Sequence, residues 1–404
     1  MSNDALSYPL IHWSEDGVER SARWRSESAM PPPKRVVIAD DRTNADTAYR
    51  LACEGTALLW RGDFQNARQL LQALARRADQ KSDKSGKRAK KSAPAAVAGA
   101  AAGAAGSDAA ATALSAFHLH RQAQSQRART LAMLLLPFDA DYTIALRRAP
   151  DVQLACNQAY GRSTEPFVAS LRELLGLIGA HEWRRTGVEL AELEQRIHPH
   201  YGVFAPIRSE YVALVANAPL PPRTNLAFDI GTGTGVLAAV LAGRGITRII
   251  ATDTDPRALS CARENLTRLS LADQVDVIQA NLFPPQPQRA PLIVCNPPWL
   301  PARPSSPIEH AVYDPDSAML RGFLAGLAEH LETGGEGWLI LSDLAEHLGL
   351  RSREQLLEWI AQGSLKVIAR SDVKPTHPRA LDVNDVLHAA RAAEVTSLWR
   401  LAAA

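Results

Sequence analysis

Residues 226–243 read LAFDIGTGTGVLAAVLAG, and the order of residue types in that stretch decides the fold. Leu226 to Ile230 reads as a buried strand, apolar but for Asp229, and Gly231 to Gly235 alternates glycine with threonine. Val236 to Ala242 then continues with the valine, leucine and alanine of a buried helix. Glycine tolerates the backbone angles of a tight turn and, lacking Cβ, lets the main chain approach a ligand closely. Strand, glycine turn and helix together predict the first βα unit of a nucleoside-binding α/β sheet.

The pattern continues downstream. Arg248 to Asp253 reads as a second strand, and Pro256 to Leu269 as a helix with proline near its start. Val275 to Gln279, Leu292 to Cys295 and Gly337 to Ser342 supply further strands. Asp316 to Leu331 and Arg351 to Gln362 supply helices. Leu365 to Ser371 and Glu394 to Leu401 read as an antiparallel pair at the sheet edge. The fold class is α/β: a doubly wound, mostly parallel, seven-stranded Rossmann-like sheet over residues 196–404, with ligands at the C-terminal ends of its strands.

Three groups of residues carry chemistry. In the glycine turn, Asp229, Gly231, Thr232, Gly233 and Gly235 are candidates to hold a ligand. A dinucleotide fingerprint needs Gly-x-Gly-x-x-Gly, but here Gly235 comes one residue early and Val236 takes the expected place. The spacing favours an adenosyl-sulfonium over a pyrophosphate. Asp253 ends the second strand, where a carboxylate accepts hydrogen bonds from both ribose hydroxyls, while Asp255 reads as the cap of the following helix. The third group is Asn296-Pro297-Pro298-Trp299, directly after the strand that ends at Cys295. Two prolines have no N–H and a fixed φ, so they leave the ladder with their carbonyls available. The Asn296 side-chain carbonyl and the Pro297 backbone carbonyl together accept both hydrogens of a planar NH₂, and Trp299 offers a flat face beside them.

DIGTGTG, Asp253 and NPPW together resemble the class I S-adenosylmethionine-dependent methyltransferases that act on amino or amide nitrogen, those of the methyltransferase small domain. The resemblance covers about residues 200–345. It implies S-adenosyl-L-methionine as cofactor and a cofactor contact at Asn296, and it places Asn281 near the adenine ring, where many relatives carry an acidic residue. FAPIRSE (204–210) and YDPDSA (313–318) are similar to segments of the glutamine-N5 branch, which implies substrate contacts at Arg208, Trp299 and Asp314. Trp299 stands where tyrosine is commonest, and Asp314 where glutamate is usual. The acceptor implied is a macromolecule: a glutamine amide of a translation-related protein, or an exocyclic amine of RNA or DNA (guanine N2 or adenine N6). A non-catalytic cofactor- or RNA-binding module and a dehydrogenase are the competing classes. The intact Asn296, Pro297 and Pro298 weigh against the module.

Composition sets the remaining bounds. The chain has 404 residues, 46% hydrophobic and 22% charged, with a formal net charge of +2. Length suggests two domains, and bulk charge points to no polyanionic partner. Cys53, Cys156, Cys261 and Cys295 are scattered, as in a reduced, cytoplasmic protein. No run is long enough to span a membrane. Residues 1–195 read as an α+β domain for substrate recognition, with helical spacing over Thr56 to Arg77, strands at Thr130 to Pro137 and Tyr142 to Leu146, and a helix at Glu165 to Leu177. Residues 80–113 read as a flexible low-complexity insertion, and the basic run Lys81 to Lys91 within it as a solvated linker. No metal is expected: His118/His120 and His198/His200 lack partners at ligand spacing, and Asp343, Glu346 and His347 read as structural.

Overall fold

The computed structural model describes residues 8–92, 105–285, 288–375, 382–383 and 385–404. Two compact units emerge, Met1–Ala100 with Leu119–Glu182, and Ala101–His118 with Trp183–Ala404. Among the described residues no helix is long and apolar enough to cross a membrane.

The first unit is built on a six-stranded mixed sheet. Its strands are β1 (Leu10–Glu15), β2 (Val18–Trp24), β3 (Arg35–Ala39), β4 (Thr56–Trp60), β5 (Leu134–Phe138) and β6 (Phe167–Ser170), in the order β1-β2-β6-β5-β4-β3. Strands β3, β4 and β5 run parallel, with helix α1 (Ala45–Cys53) between the first two and helices α2 (Phe64–Ser92) and α3 (Ala105–Leu131) between the second and third. These are βαβ crossovers; β2 also runs parallel to β6, while β1/β2 and β5/β6 are antiparallel, so the sheet is mixed. Among the described residues, helices α4 (Gln153–Tyr160) and α5 (Leu171–Thr186) complete the unit's secondary structure.

Several local expectations change here for identifiable reasons. Thr56 to Trp60 is a strand because all five residues are buried in mid-sheet, and a continuous apolar run has no period to separate strand from helix. The helix starts only at Phe64, after Asp63 accepts from the Gln65 N–H at 2.8 Å. Tyr142 to Leu146 forms a loop: Tyr142 takes a φ of 73°, and Asp141 accepts from the backbone and hydroxyl of Thr143. Thr130 and Leu131 end α3, and Glu165 to Leu177 divides into β6 and the start of α5. The 80–113 insertion has helical backbone at both ends, since α2 runs to Ser92 and α3 begins at Ala105. Residues 93–104 lie outside the described residues.

The second unit follows the sequence reading closely. It opens with the short pair β7 (Val188–Leu190) and β8 (Gln195–Ile197) and with α6 (Glu210–Asn217). The main elements are β9 (Ala227–Ile230), α7 (Val236–Gly243), β10 (Ile249–Asp253), α8 (Pro256–Arg268), β11 (Val275–Gln279), β12 (Ala290–Cys295), α9 (Ala318–His330), β13 (Leu331–Ser342), α10 (Leu344–His347), α11 (Arg353–Gln362), β14 (Leu365–Val373), α12 (His388–Ala393) and β15 (Thr396–Ala403). The sheet order is β11-β10-β9-β12-β13-β15-β14, parallel through β13, with β15 antiparallel to both neighbours. This is the seven-stranded, doubly wound sheet, with the terminal pair at its edge.

Alternation along the central strands shows why helices cover both faces. Leu292 and Val294 of β12, with Trp338 and Ile340 of β13, point into one core with α6, α7 and α8. Ile293, Cys295, Leu339 and Leu341 point into the other with α9 and α11. A strand apolar on both faces needs both buried, and the doubly wound arrangement supplies this.

Candidate active site

Sheet topology brings the motifs together. The chain leaves β9 toward β10 on one side, whereas β12 lies on the other, so a crevice opens between β9 and β12 at the switch point. Ile230 pairs in register with Cys295 and with Thr252. The residues that follow, Gly231, Asn296 and Asp253, therefore leave three adjacent strands in one row, each about 5 Å from the next across the ladder.

In the turn, Gly231, Gly233 and Gly235 take φ values of 73°, 56° and 82°, which other residues adopt only under strain. A Cβ on Gly235 would lie 3.3 Å from the Ala262 Cα, so this glycine sets the packing of α7 on α8. A Cβ on Gly233 would meet nothing within 4 Å, so this glycine borders open space. The Gly233 N–H donates to Asp253 Oδ2 at 3.0 Å, while Asp253 Oδ1 accepts from the Asp255 N–H at 3.0 Å. Asp255 caps α8 by accepting from Arg257 N at 2.8 Å. Burial raises the Asp253 carboxyl above its ordinary range. Thr232 is buried and donates its hydroxyl to Asp229 Oδ2 at 2.7 Å, where the Ala238 N–H also arrives at 3.1 Å. Asp229 thus ties the turn to the first turn of α7.

Burial pushes the Asp229 carboxyl up to about 6, against the Thr232 and Ala238 hydrogen bonds that favour its charged form. The folded protein therefore keeps this proton through a range in which the unfolded chain has lost it. Stability should fall as pH rises from about 4 to about 6, by on the order of 3 kcal/mol, and be flat above that window. Asp229→Asn should remove this component, and melting temperature against pH for both proteins checks it. Parallel curves would contradict the assignment.

The acceptor loop begins at Asn296, which is half-buried beside buried Pro297. The Trp299 Nε1–H donates to Asn296 Oδ1 at 2.9 Å, fixing the amide and leaving its carbonyl oxygen a second lone pair. The flat face expected at Trp299 is partly covered: the Arg208 guanidinium lies over the ring, 5.6 Å from its centroid, and the indole packs against both hydrophobic cores. Arg208 is held by Glu210 (Nε to Oε1, 3.1 Å) and Glu394 (Nη2 to Oε1, 3.2 Å). Asp314, expected to touch substrate, is instead buried and caps α9, accepting from Met319 N at 3.0 Å and Leu320 N at 3.2 Å. That cap is needed because Asp316 and Ser317 take left-handed angles and delay the helix to Ala318. Asn281 is exposed just beyond β11, one residue after Ala280 N bonds to Asp253 O.

The structure also presents residues that no motif announced. Glu394 accepts from Arg208 and from Ser342 at the end of β13, and Arg351 is 3% exposed with Nε and Nη2 lacking hydrogen-bond partners, its charge acting on Asp314. They come from segments far apart in sequence, and only the fold brings them together. His198 and His200 are engaged by the Arg184 carbonyl and by Glu264, and Asp343 accepts from Val395 N at 2.7 Å. Among the described residues no group of three or more His, Cys, Asp or Glu could hold a metal.

A glycine turn, a carboxylate at the end of the next strand and an Asn-Pro-Pro loop in one row at the switch point are the arrangement expected of a class I S-adenosylmethionine-dependent methyltransferase domain. Residues 194–358 match the family model of the methyltransferase small domain. It is 32% identical over 140 residues to the release factor glutamine methyltransferase of Cereibacter sphaeroides, covering 32% of this chain and 50% of that one. It is 31% identical over 154 residues to the tRNA1(Val) (adenine(37)-N6)-methyltransferase of Bacteroides thetaiotaomicron (37% and 64%). It is 44% identical over 69 residues to the ribosomal protein L11 methyltransferase of Pelotomaculum thermopropionicum (17% and 22%). The chain thus spans half or less of the length of the release-factor and L11 relatives.

Proposed function

We propose that the protein methylates a planar amide nitrogen, the side chain of a glutamine in a translation-related protein. The observation that carries this reading is the placement of Asn296 and Pro297 beside the glycine turn. Bound S-adenosylmethionine supplies a methyl group already activated on a sulfonium. Open space at Gly233 and the carboxylate of Asp253 fit its adenosyl part: Asp253 has lone pairs left for the ribose hydroxyls, and Asn281 stands where the adenine edge would pass. Asn296 Oδ1 and the Pro297 carbonyl accept the two amide hydrogens and aim the nitrogen lone pair at the methyl carbon. On transfer the N–C bond would form as the S–C bond broke, the thioether S-adenosylhomocysteine would leave, and the nitrogen would then pass its proton to water. Alignment of nitrogen, carbon and sulfur then supplies most of the rate, and no strong base is required.

Arg208 favours the amide over a base. A purine needs a broad ring face for stacking, and at Trp299 the guanidinium and the cores cover part of that surface. The competing reading, an exocyclic amine of RNA, draws on the tRNA relative, which is matched over a larger share of its length than the other two. Residues 1–195 are assigned to gripping the macromolecule. Tritiated-methyl labelling of a lysate, followed by separate protease and ribonuclease digestion, tests the reading. Label lost to protease and retained after ribonuclease is expected, and the reverse pattern would replace the amide with a base.

A further inference from the structure

Glu394 lies between α12 and β15, is 3% exposed, and belongs to no motif. Its Oε1 accepts from Ser342 Oγ at 2.7 Å and from Arg208 Nη2 at 3.2 Å. Ser342 ends β13 and accepts in turn from Leu344 N at 3.0 Å. Arg208 lies over the Trp299 ring, and the Trp299 N–H reaches Asn296 Oδ1. A continuous line of contacts therefore runs from Glu394 to the amide that grips the acceptor.

A buried carboxylate is costly unless paired, so its retention here needs a reason. Stapling the chain is not that reason. The segment is already pinned to the end of β13 through Val395, whose carbonyl accepts from Asp343 N at 3.1 Å and whose N–H donates to Asp343 Oδ1 at 2.7 Å. What Glu394 adds is control of Arg208. With Glu210 on Nε and Glu394 on Nη2, two nitrogens of the guanidinium are held, and so is its plane over the indole.

We infer that Glu394, seated by Ser342, is a positioning residue of the acceptor site, acting through Arg208 and Trp299 on the orientation of Asn296. The inference rests on the proposed role of Asn296 as the amide acceptor.

Glu394→Ala, Glu394→Gln, Arg208→Ala and the Glu394→Ala/Arg208→Ala double variant test it. Trp299 emission is isolated as the difference between each protein and its Trp299→Phe counterpart. Glu394→Ala should lower kcat/KM for the acceptor about ten- to a hundredfold, leave cofactor affinity within about twofold, and shift the Trp299 emission. It should add almost nothing in the Arg208→Ala background, as expected for residues acting in series. Glu394→Gln, which keeps an oxygen for Ser342, should recover part of the loss. Multiplying effects in the double variant, or a parallel loss of cofactor affinity, would overturn the inference. Emission needs no acceptor: an unchanged signal sinks the positioning role whatever is methylated. A shifted signal in a protein that methylates no amide supports positioning and sinks only the amide reading.

Discussion

Asn296→Ala should lower turnover about a hundred- to a thousandfold while leaving cofactor affinity within about twofold, the scale reached when one preorganised polar group is removed from a reacting centre. Asn296 leaves β12 in register with the glycine turn on β9, and the proposed function puts its carbonyl on the line of transfer, whereas Asp253, proposed to hold the ribose, ends β10. Truncation also frees the Trp299 N–H from its 2.9 Å bond, so the ring loses its anchor together with the acceptor. Asn296→Asp should be nearly as damaging, because a carboxylate competes for the cationic methyl donor instead of only orienting the nitrogen. Calorimetry with S-adenosylhomocysteine beside single-turnover methylation separates the two effects. Retained turnover in Asn296→Ala would remove Asn296 from the chemistry.

Asp253→Ala should have the opposite signature: cofactor affinity weakened about ten- to a hundredfold, as expected for loss of charge-assisted hydrogen bonds worth roughly 1.5–3 kcal/mol. Part of that loss is indirect, since Gly233 N and Asp255 N both donate to this carboxylate and would lose their partner. Asp253→Asn keeps the shape but must turn an NH₂ toward one of these donors, so it should fall between wild type and alanine. Titration by calorimetry checks the order. Equal affinity in all three proteins would move ribose recognition away from Asp253.

Legibility in sequence followed locality. The βα units from Leu226 to Leu269 could be read because turn, cap and strand signals lie within a few residues of each other: Asp255 capping α8 is a two-residue event, and β9 alternates between two cores over four residues. In the first unit the sequence of β4 reads as helix because its continuous apolar run has no period that separates the two, and the loop at Tyr142 reads as strand because one left-handed residue has no composition signal. At the site, Gly231 to Gly235, Asp253 and NPPW were visible as motifs. The covering of Trp299 by Arg208, the use of Asp314 as a helix cap, and the approach of Glu394 and Ser342 depend on contacts between distant segments, which no local pattern encodes.

The central claim is that two carbonyls at the exit of β12 hold an NH₂ in line with a sulfonium seated over the glycine turn. A crystal structure with S-adenosylhomocysteine and a glutamine-containing acceptor peptide tests it most directly. The account predicts the amide nitrogen within hydrogen-bonding distance of both Asn296 Oδ1 and the Pro297 carbonyl oxygen, on the side facing the cofactor sulfur, with the ribose hydroxyls on Asp253. A cofactor seated away from Gly233, or an acceptor nitrogen out of reach of Asn296, would contradict it.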